Sequence, residues 1–267
     1  MTFKTFIISS LFAAVATPTL SHEFWLEPER YQAETGATVG VQLFNGQDFD
    51  GTELSWFDRR IDQVTVHNGD EAKDYKGLPG DLPGISVEVQ DGLTTIAYAS
   101  TMSRLTYDSW EKTLLFAEHK DFPWFQNAHS ERGLPQENVT EGYWRFSKTL
   151  IGSSNSDGQD VEVGMPTEFV LQTNPFADDI DTVSAVLLYK GTPRADVQVE
   201  MWEKADDAVT RTLHRTDADG VVTLPVKPGH SYQIDSVVLR EPESDAAIKA
   251  DVMWESLWAN TTFAIPG

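Results

Sequence analysis

The stretch that decides the fold is D-V-Q-V-E-M-W, Asp196 to Trp202. Val197, Val199 and Met201 alternate with Gln198 and Glu200, the period of two that lets a strand bury one face and wet the other. The alternation recurs on both sides of this stretch. It is seen in E-F-V-L-Q-T (Glu168 to Thr173), V-S-A-V-L-L-Y (Val183 to Tyr189) and V-V-T-L-P-V (Val221 to Val226). It continues in S-Y-Q-I-D-S-V-V-L (Ser231 to Leu239) and W-A-N-T-T-F-A-I (Trp258 to Ile265). About seven short strands in about 100 residues, without helices between them, predict an antiparallel sandwich of immunoglobulin or transthyretin type.

The D-A-D-G of Asp217 to Gly220 punctuates this run. A calcium loop of EF-hand type would need an oxygen ligand where Arg215 stands and a glutamate where Val226 stands, so a hairpin turn is the expectation.

Upstream, the first half is also β-rich. A-T-V-G-V-Q-L-F alternates at Val39, Val41 and Leu43, and R-I-D-Q-V-T-V-H alternates with one slip at Ile61, Val64 and Val66. G-I-S-V-E-V-Q-D-G followed by L-T-T-I-A-Y-A-S reads as a hairpin closed at Asp91-Gly92. Gly77 to Gly84 is loop, and the acidic residues near Asn45-Gly46, Asp48 and Asp50 read as a solvated turn.

Between Trp110 and Leu150 the texture becomes helical. W-E-K-T-L-L-F-A-E-H-K-D-F and P-W-F-Q-N-A-H-S-E-R-G-L carry helix formers with Gly133 as a C-cap, and E-G-Y-W-R-F-S-K-T-L-I reads as a further helix. The expected organisation is mainly β: a leader over 1–21, a β-rich domain over 22–160 with a helical insertion at about 110–150, and a C-terminal sandwich over 161–267. Both domains are expected to be antiparallel β-sandwich-like. The polar run Ser153 to Asp160 serves as linker.

Composition narrows the function classes. Forty-two acidic against 20 basic residues give a formal charge of −22, which disfavours nucleic acid as partner. Cysteine is absent, which removes disulfides, thiolate metal sites and thiol nucleophiles. No G-x-S-x-G, H-E-x-x-H, phosphate-binding loop or dinucleotide fingerprint occurs, so no enzyme class is indicated.

The N-terminus has the form of an export signal: Lys4, an apolar run from Phe6 to about Ala16, then small residues. It is too short for a membrane span, and no later segment suits one, so a soluble periplasmic protein is expected. Two cleavage points fit, one after Ala16 leaving Thr17 first, the other after Ser21 leaving His22 first.

That choice matters for S-H-E-F-W-L-E-P, Ser21 to Pro28. A terminal histidine carries an amine with a pKa of about 7.7–8, and its amine nitrogen and Nδ1 can chelate one borderline metal such as copper or nickel. His119 and His129, ten residues apart, and Glu23 beside His22 are the other candidate ligands. On one unbroken helix those two histidines would stand about 15 Å apart, too far to share an ion. His67, His214 and His230 read as surface or turn residues.

Several stretches together resemble a bacterial family. H-E-F-W-L-E-P at the mature start, Y-W-R-F-S-K-T-L-I (Tyr143 to Ile151), T-N-P-F, T-D-A-D-G-V-V-T-L-P and D-V-M-W-E-S-L-W-A-N-T-T-F are similar to segments of a periplasmic domain-of-unknown-function family labelled as nickel-transport or cobalt/nickel-uptake accessory proteins. The resemblance implies two β-sandwich-like parts and a histidine following the leader. It also implies capture or handover of a divalent ion, nickel or cobalt, with a membrane metal-uptake transporter as partner and without catalysis; the His22 chelate adds copper as a candidate metal. Members of the family typically carry a histidine in the region where this chain has D-S-V-V-L, Asp235 to Leu239; if it is a ligand there, this chain has lost it or binds by other groups. The competing readings are an envelope interaction module that partners a transporter, and a copper-dependent oxidase built on the terminal histidine.

Overall fold

The computed structural model describes residues 22–206 and 208–267; the expected leader lies outside them. The first half supplies β1 (Glu23–Pro28), β2 (Thr38–Gln47), β3 (Asp50–Leu54), β4 (Ile61–Asn68), β5 (Glu71–Asp74) and β6 (Ile85–Glu88). These are followed by β7 (Leu93–Ser100), β8 (Ser103–Thr106), α1 (Trp110–His119), α2 (Phe125–Glu131) and β9 (Thr140–Gly152). The second half supplies β10 (Thr167–Leu171), β11 (Thr182–Tyr189), β12 (Thr192–Pro193), β13 (Gln198–Ala205) and β14 (Ala208–Arg215). It ends with β15 (Val221–Pro225), β16 (Ser231–Arg240), α3 (Asp245–Lys249) and β17 (Trp254–Ala264). The chain is mainly β, as expected, in several predominantly antiparallel sheets consistent with a β-sandwich.

One nine-stranded sheet runs through both halves in the order β14-β13-β16-β17-β9-β7-β4-β5, with β8 also pairing with β9. The seam is the parallel pair β17–β9, in register from Trp254 opposite Glu141 to Thr262 opposite Thr149. Two four-stranded sheets cover it. β1, β2, β3 and β6 bring Phe24, Leu26, Val41 and Ile85 against Val64, Ile96 and Tyr98 of the large sheet. β10, β11, β12 and β15 bring Phe169, Leu187 and Leu224 against Val199, Met201, Ile234 and Phe263.

Register assigns the two covers to opposite faces. Glu200 stands opposite Asp235, and Asp235 opposite Asn260, so these three share a face. Val199, Met201 and Ile234 alternate with them and face the second cover. The first face is roofed by β1 and by α1 and α2, whose Phe116 and Phe125 join a core with Val237, Trp254 and Trp258. Sheets covered on both sides lose the wet face that alternation assumes.

Three sequence expectations are corrected by this arrangement. Tyr143 to Ile151 is not helical but lies in β9, the centre of the large sheet between β17 and β7. Its Arg145 and Lys148 are both buried, Lys148 as an ion partner of Asp160, and such charged residues hid the strand behind a helix-like pattern. Asp91-Gly92 closes no hairpin, because β6 pairs with β2 while β7 pairs with β4 and β9, so the turn passes the chain between sheets. Asp217 to Gly220 likewise turns the chain from β14 in the large sheet to β15 in the second cover, with the Asp217 carboxylate accepting from the amides of Asp219 and Val221.

The Asp48-Phe49 turn keeps its acids exposed, as expected, but is also anchored to the core. Both residues have positive φ, 56° each, the geometry of a two-residue hairpin that twists with its strands. Phe49 is buried edge-on against Trp25, and the Trp202 indole donates to Asp48 at 3.2 Å. A phenylalanine in the left-handed region costs on the order of 1–2 kcal/mol, which its burial against Trp25 and Trp202 offsets. No helix among the described residues is long and apolar enough to cross a membrane.

Candidate functional site

The roofed face of the large sheet holds a buried ionic cluster directly beneath the N-terminal strand. α1 delivers its cation. Ser109 caps that helix by accepting from the Lys112 amide, and Asp121, at φ 62°, ends it. Lys120 at its C-cap and His119 in its last turn are therefore thrown onto the sheet, where a cation also suits the helix C-terminus. The Lys120 ammonium lies 3.2 Å from Glu200 Oε1, 3.3 Å from Asp235 Oδ1 and 3.9 Å from Glu23 Oε1. It also stands 4.6 Å from the Trp258 ring centroid.

The rim is cationic. Arg211 approaches Glu200 at 3.3 Å and His119 Nε2 lies 3.4 Å from the same oxygen. Arg145 stacks on Trp258 and donates from Nη2 to the His22 carbonyl. Among the described residues, the second oxygens of Glu23, Glu200 and Asp235 are buried and accept no hydrogen bond, nor does the Asn260 amide nitrogen next to Asp235 find an acceptor. Three acids face one lysine, each with an oxygen to spare.

Burial pushes the Glu23 carboxyl up to about 7, against the pull of Lys120. Burial also raises Asp235. Burial works in the same direction on Glu200, but Lys120, His119 and Arg211 outweigh it and hold that carboxyl down to about 2. Burial opposes the charge on Lys120, and its three acids outweigh the effect and raise it.

A pH dependence follows from Glu23 and Glu200. The folded Glu23 pKa lies above its unfolded value, so its contribution is full below pH ~4.5 and lost as pH rises through about 7. Glu200 is the reverse: its contribution is full above that value and lost as pH falls toward about 2. Glu23→Gln is therefore expected to gain on wild type as pH rises from 5 to 8, by on the order of 2–3 kcal/mol. Urea denaturation of both proteins across that range checks this; a pH-independent difference would refute it.

The sequence candidates separate here. His22 is exposed immediately before β1, and Glu23 is buried in the cluster. His119 reaches the same cluster through Glu200 and Arg211, so the fold brings the surroundings of His22, Glu23 and His119 together. His129 lies elsewhere, inside a box of Trp110, Phe125 and Trp254. Its Nδ1 accepts from the Trp254 indole at 2.9 Å and its Nε2 donates to the Pro135 carbonyl at 3.0 Å, so both ring nitrogens serve packing. Lys120, Glu200, Asp235, Arg145 and Arg211 were not singled out from sequence. The available signal was a charge set in an apolar strand, as Asp235 is in S-Y-Q-I-D-S-V-V-L.

Chemically, the described side chains form no cluster of three or more histidines and acids arranged to hold a metal ion.

Comparisons with known proteins place the chain in a family and assign no activity. No curated protein matches the chain. A solved structure described as a tetra-tandem repeat in the extending region of a large adhesion protein is similar at 9% identity, with a TM-score of 0.20. The match takes in 91% of this chain and 49% of that one, so the chain spans about half its length, and a likeness so low supports no argument. The model of the domain of unknown function DUF4198 matches residues 19–238, most of the chain, and the protein belongs to that family.

Proposed function

We propose that the protein is an exported, non-enzymatic accessory that binds a divalent transition metal, nickel, cobalt or copper, as cargo for a membrane metal-uptake transporter. His22 is its anchor, through the amine and imidazole freed when the leader is cut after Ser21. The observation that supports this reading is the seat of His22. Its carbonyl is held by Arg145 and its neighbour Glu23 is locked into the ionic cluster, so a terminus created there is fixed to the sheet. A clasp that is held but incomplete suits an ion taken up and passed on.

Within this reading Glu23 lends its spare oxygen after losing its proton, and His119 at the rim is the next available imidazole. His129 is not used, since both of its nitrogens are committed.

The first measurement is the intact mass of the exported protein, expected to begin at His22; a start at Thr17 would end the proposal. Titration calorimetry with nickel, cobalt and copper on the mature chain then tests the clasp. His22→Ala is expected to weaken binding by at least about a hundredfold, the loss of a two-nitrogen chelate. Equal binding by both proteins, or none by either, would favour the interaction module.

A further inference from the structure

Lys120 also lines a second feature, an open cavity of about 580 Å³ between the Lys120–Trp124 turn and β16, within the size range of small-molecule sites. Phe122, Pro123 and the half-exposed Trp124 form an apolar side, and Arg194 and Arg215 form a cationic one.

The two arginines differ in how they are neutralised. Arg215 pairs with Asp121 and Asp196, both also at the cavity. Arg194 has no carboxylate within ion-pair distance among the described residues. Its Nη2 donates to the Val237 carbonyl at 3.1 Å, and its Nη1 is buried with no hydrogen-bond partner. Burial pulls its pKa down to about 10. In a chain with 42 acidic residues and 20 basic ones, a part-buried guanidinium left without an acid is an unusual cost. A carboxylate entering the cavity from solution supplies the missing counter-charge, and a guanidinium holds a carboxylate better than an ammonium does.

We infer that this cavity binds a small carboxylate with a flat apolar body, the carboxylate on Arg194 and the body against Trp124. The inference does not depend on metal binding at His22. The carboxylate has two sources, a free aromatic acid or the C-terminal residue of a peptide, and the probes separate them.

Calorimetry and Trp fluorescence on the mature protein would use phenylacetate and the tripeptide Ala-Ala-Phe. Phenylacetamide and the amidated tripeptide serve as neutral controls. One or both acids are expected to bind with a dissociation constant on the order of 1 mM or tighter, and the amides at least about tenfold more weakly. Stronger binding by phenylacetate assigns a free acid, and stronger binding by the tripeptide a chain end. Arg194→Gln is expected to lose about tenfold or more, with Arg194→Lys between it and wild type because the charge remains and the fork does not. Trp124→Ala, at a part-exposed position, is expected to lose severalfold. The inference is overturned if acids and amides bind alike, or if folded Arg194→Gln or Trp124→Ala binds as wild type does.

Discussion

Lys148→Met is expected to destabilise the protein by roughly 3–5 kcal/mol, the cost of breaking a buried ion pair by removing one partner. Lys148 sits in β9 with its side chain wholly inaccessible. Its ammonium donates to Asp160 at 2.8 Å and to the carbonyls of Val161 and Phe169, and Glu168 lies 3.5 Å away. Asp160 also accepts from the Thr95 hydroxyl and the Leu171 amide, and Glu168 from the amides of Val163, Gly164 and Met165. One lysine thus ties the segment between β9 and β10 to both. Methionine fills the space but leaves two buried acids without their cation. Equilibrium urea denaturation measures the loss, with Lys73→Met as control, since the exposed Lys73–Glu71 pair at 4.0 Å should contribute nothing measurable. A loss at Lys148 below about 1 kcal/mol would refute the account.

Lys120→Met should be of similar size, roughly 3–5 kcal/mol at neutral pH, and unlike a packing defect it should depend on pH. Without the ammonium, Glu23, Glu200 and Asp235 face one another beneath β1 with no central cation. Glu200, now held down to about 2, loses its main counter-charge and its pKa must rise. All three acids then favour their protonated forms in the folded state, so the deficit shrinks as pH falls toward 4. A deficit that stays constant from pH 8 to pH 4 would mean that Lys120 acts through its methylenes packed near Trp258, not through its charge.

Both predictions rest on residues whose roles the sequence concealed. The strands of the second half were legible, because β11, β13, β15 and β17 each bury one alternating apolar set in a single core. The first two helices were legible too, with Ser109 capping α1 and Gly133, at φ 65°, following α2, but the short α3 was not. β9 was not. A strand buried on both faces shows no period of two, and its Arg145 and Lys148 resembled the polar side of a helix. Of the candidate site, the sequence offered His22, Glu23 and His119 without joining them. It also offered His129, whose ring nitrogens turn out to be spent on Trp254 and Pro135.

By itself the sequence determined what local periodicity and charge can determine: a mainly β chain, its first two helices, a strong excess of acid and no thiol chemistry. The tertiary structure alone decided that Glu200 of D-V-Q-V-E-M-W and Gln233 and Asp235 of S-Y-Q-I-D-S-V-V-L do not face water. Alternation reports that the two sides of a strand differ, and a wet side is only its commonest cause. Here β1 and α1 close over that side, and the acids meet a lysine 115 residues from Asp235 in the chain. That juxtaposition depends on which sheet covers which face, a choice made by long-range packing that no stretch of either strand encodes.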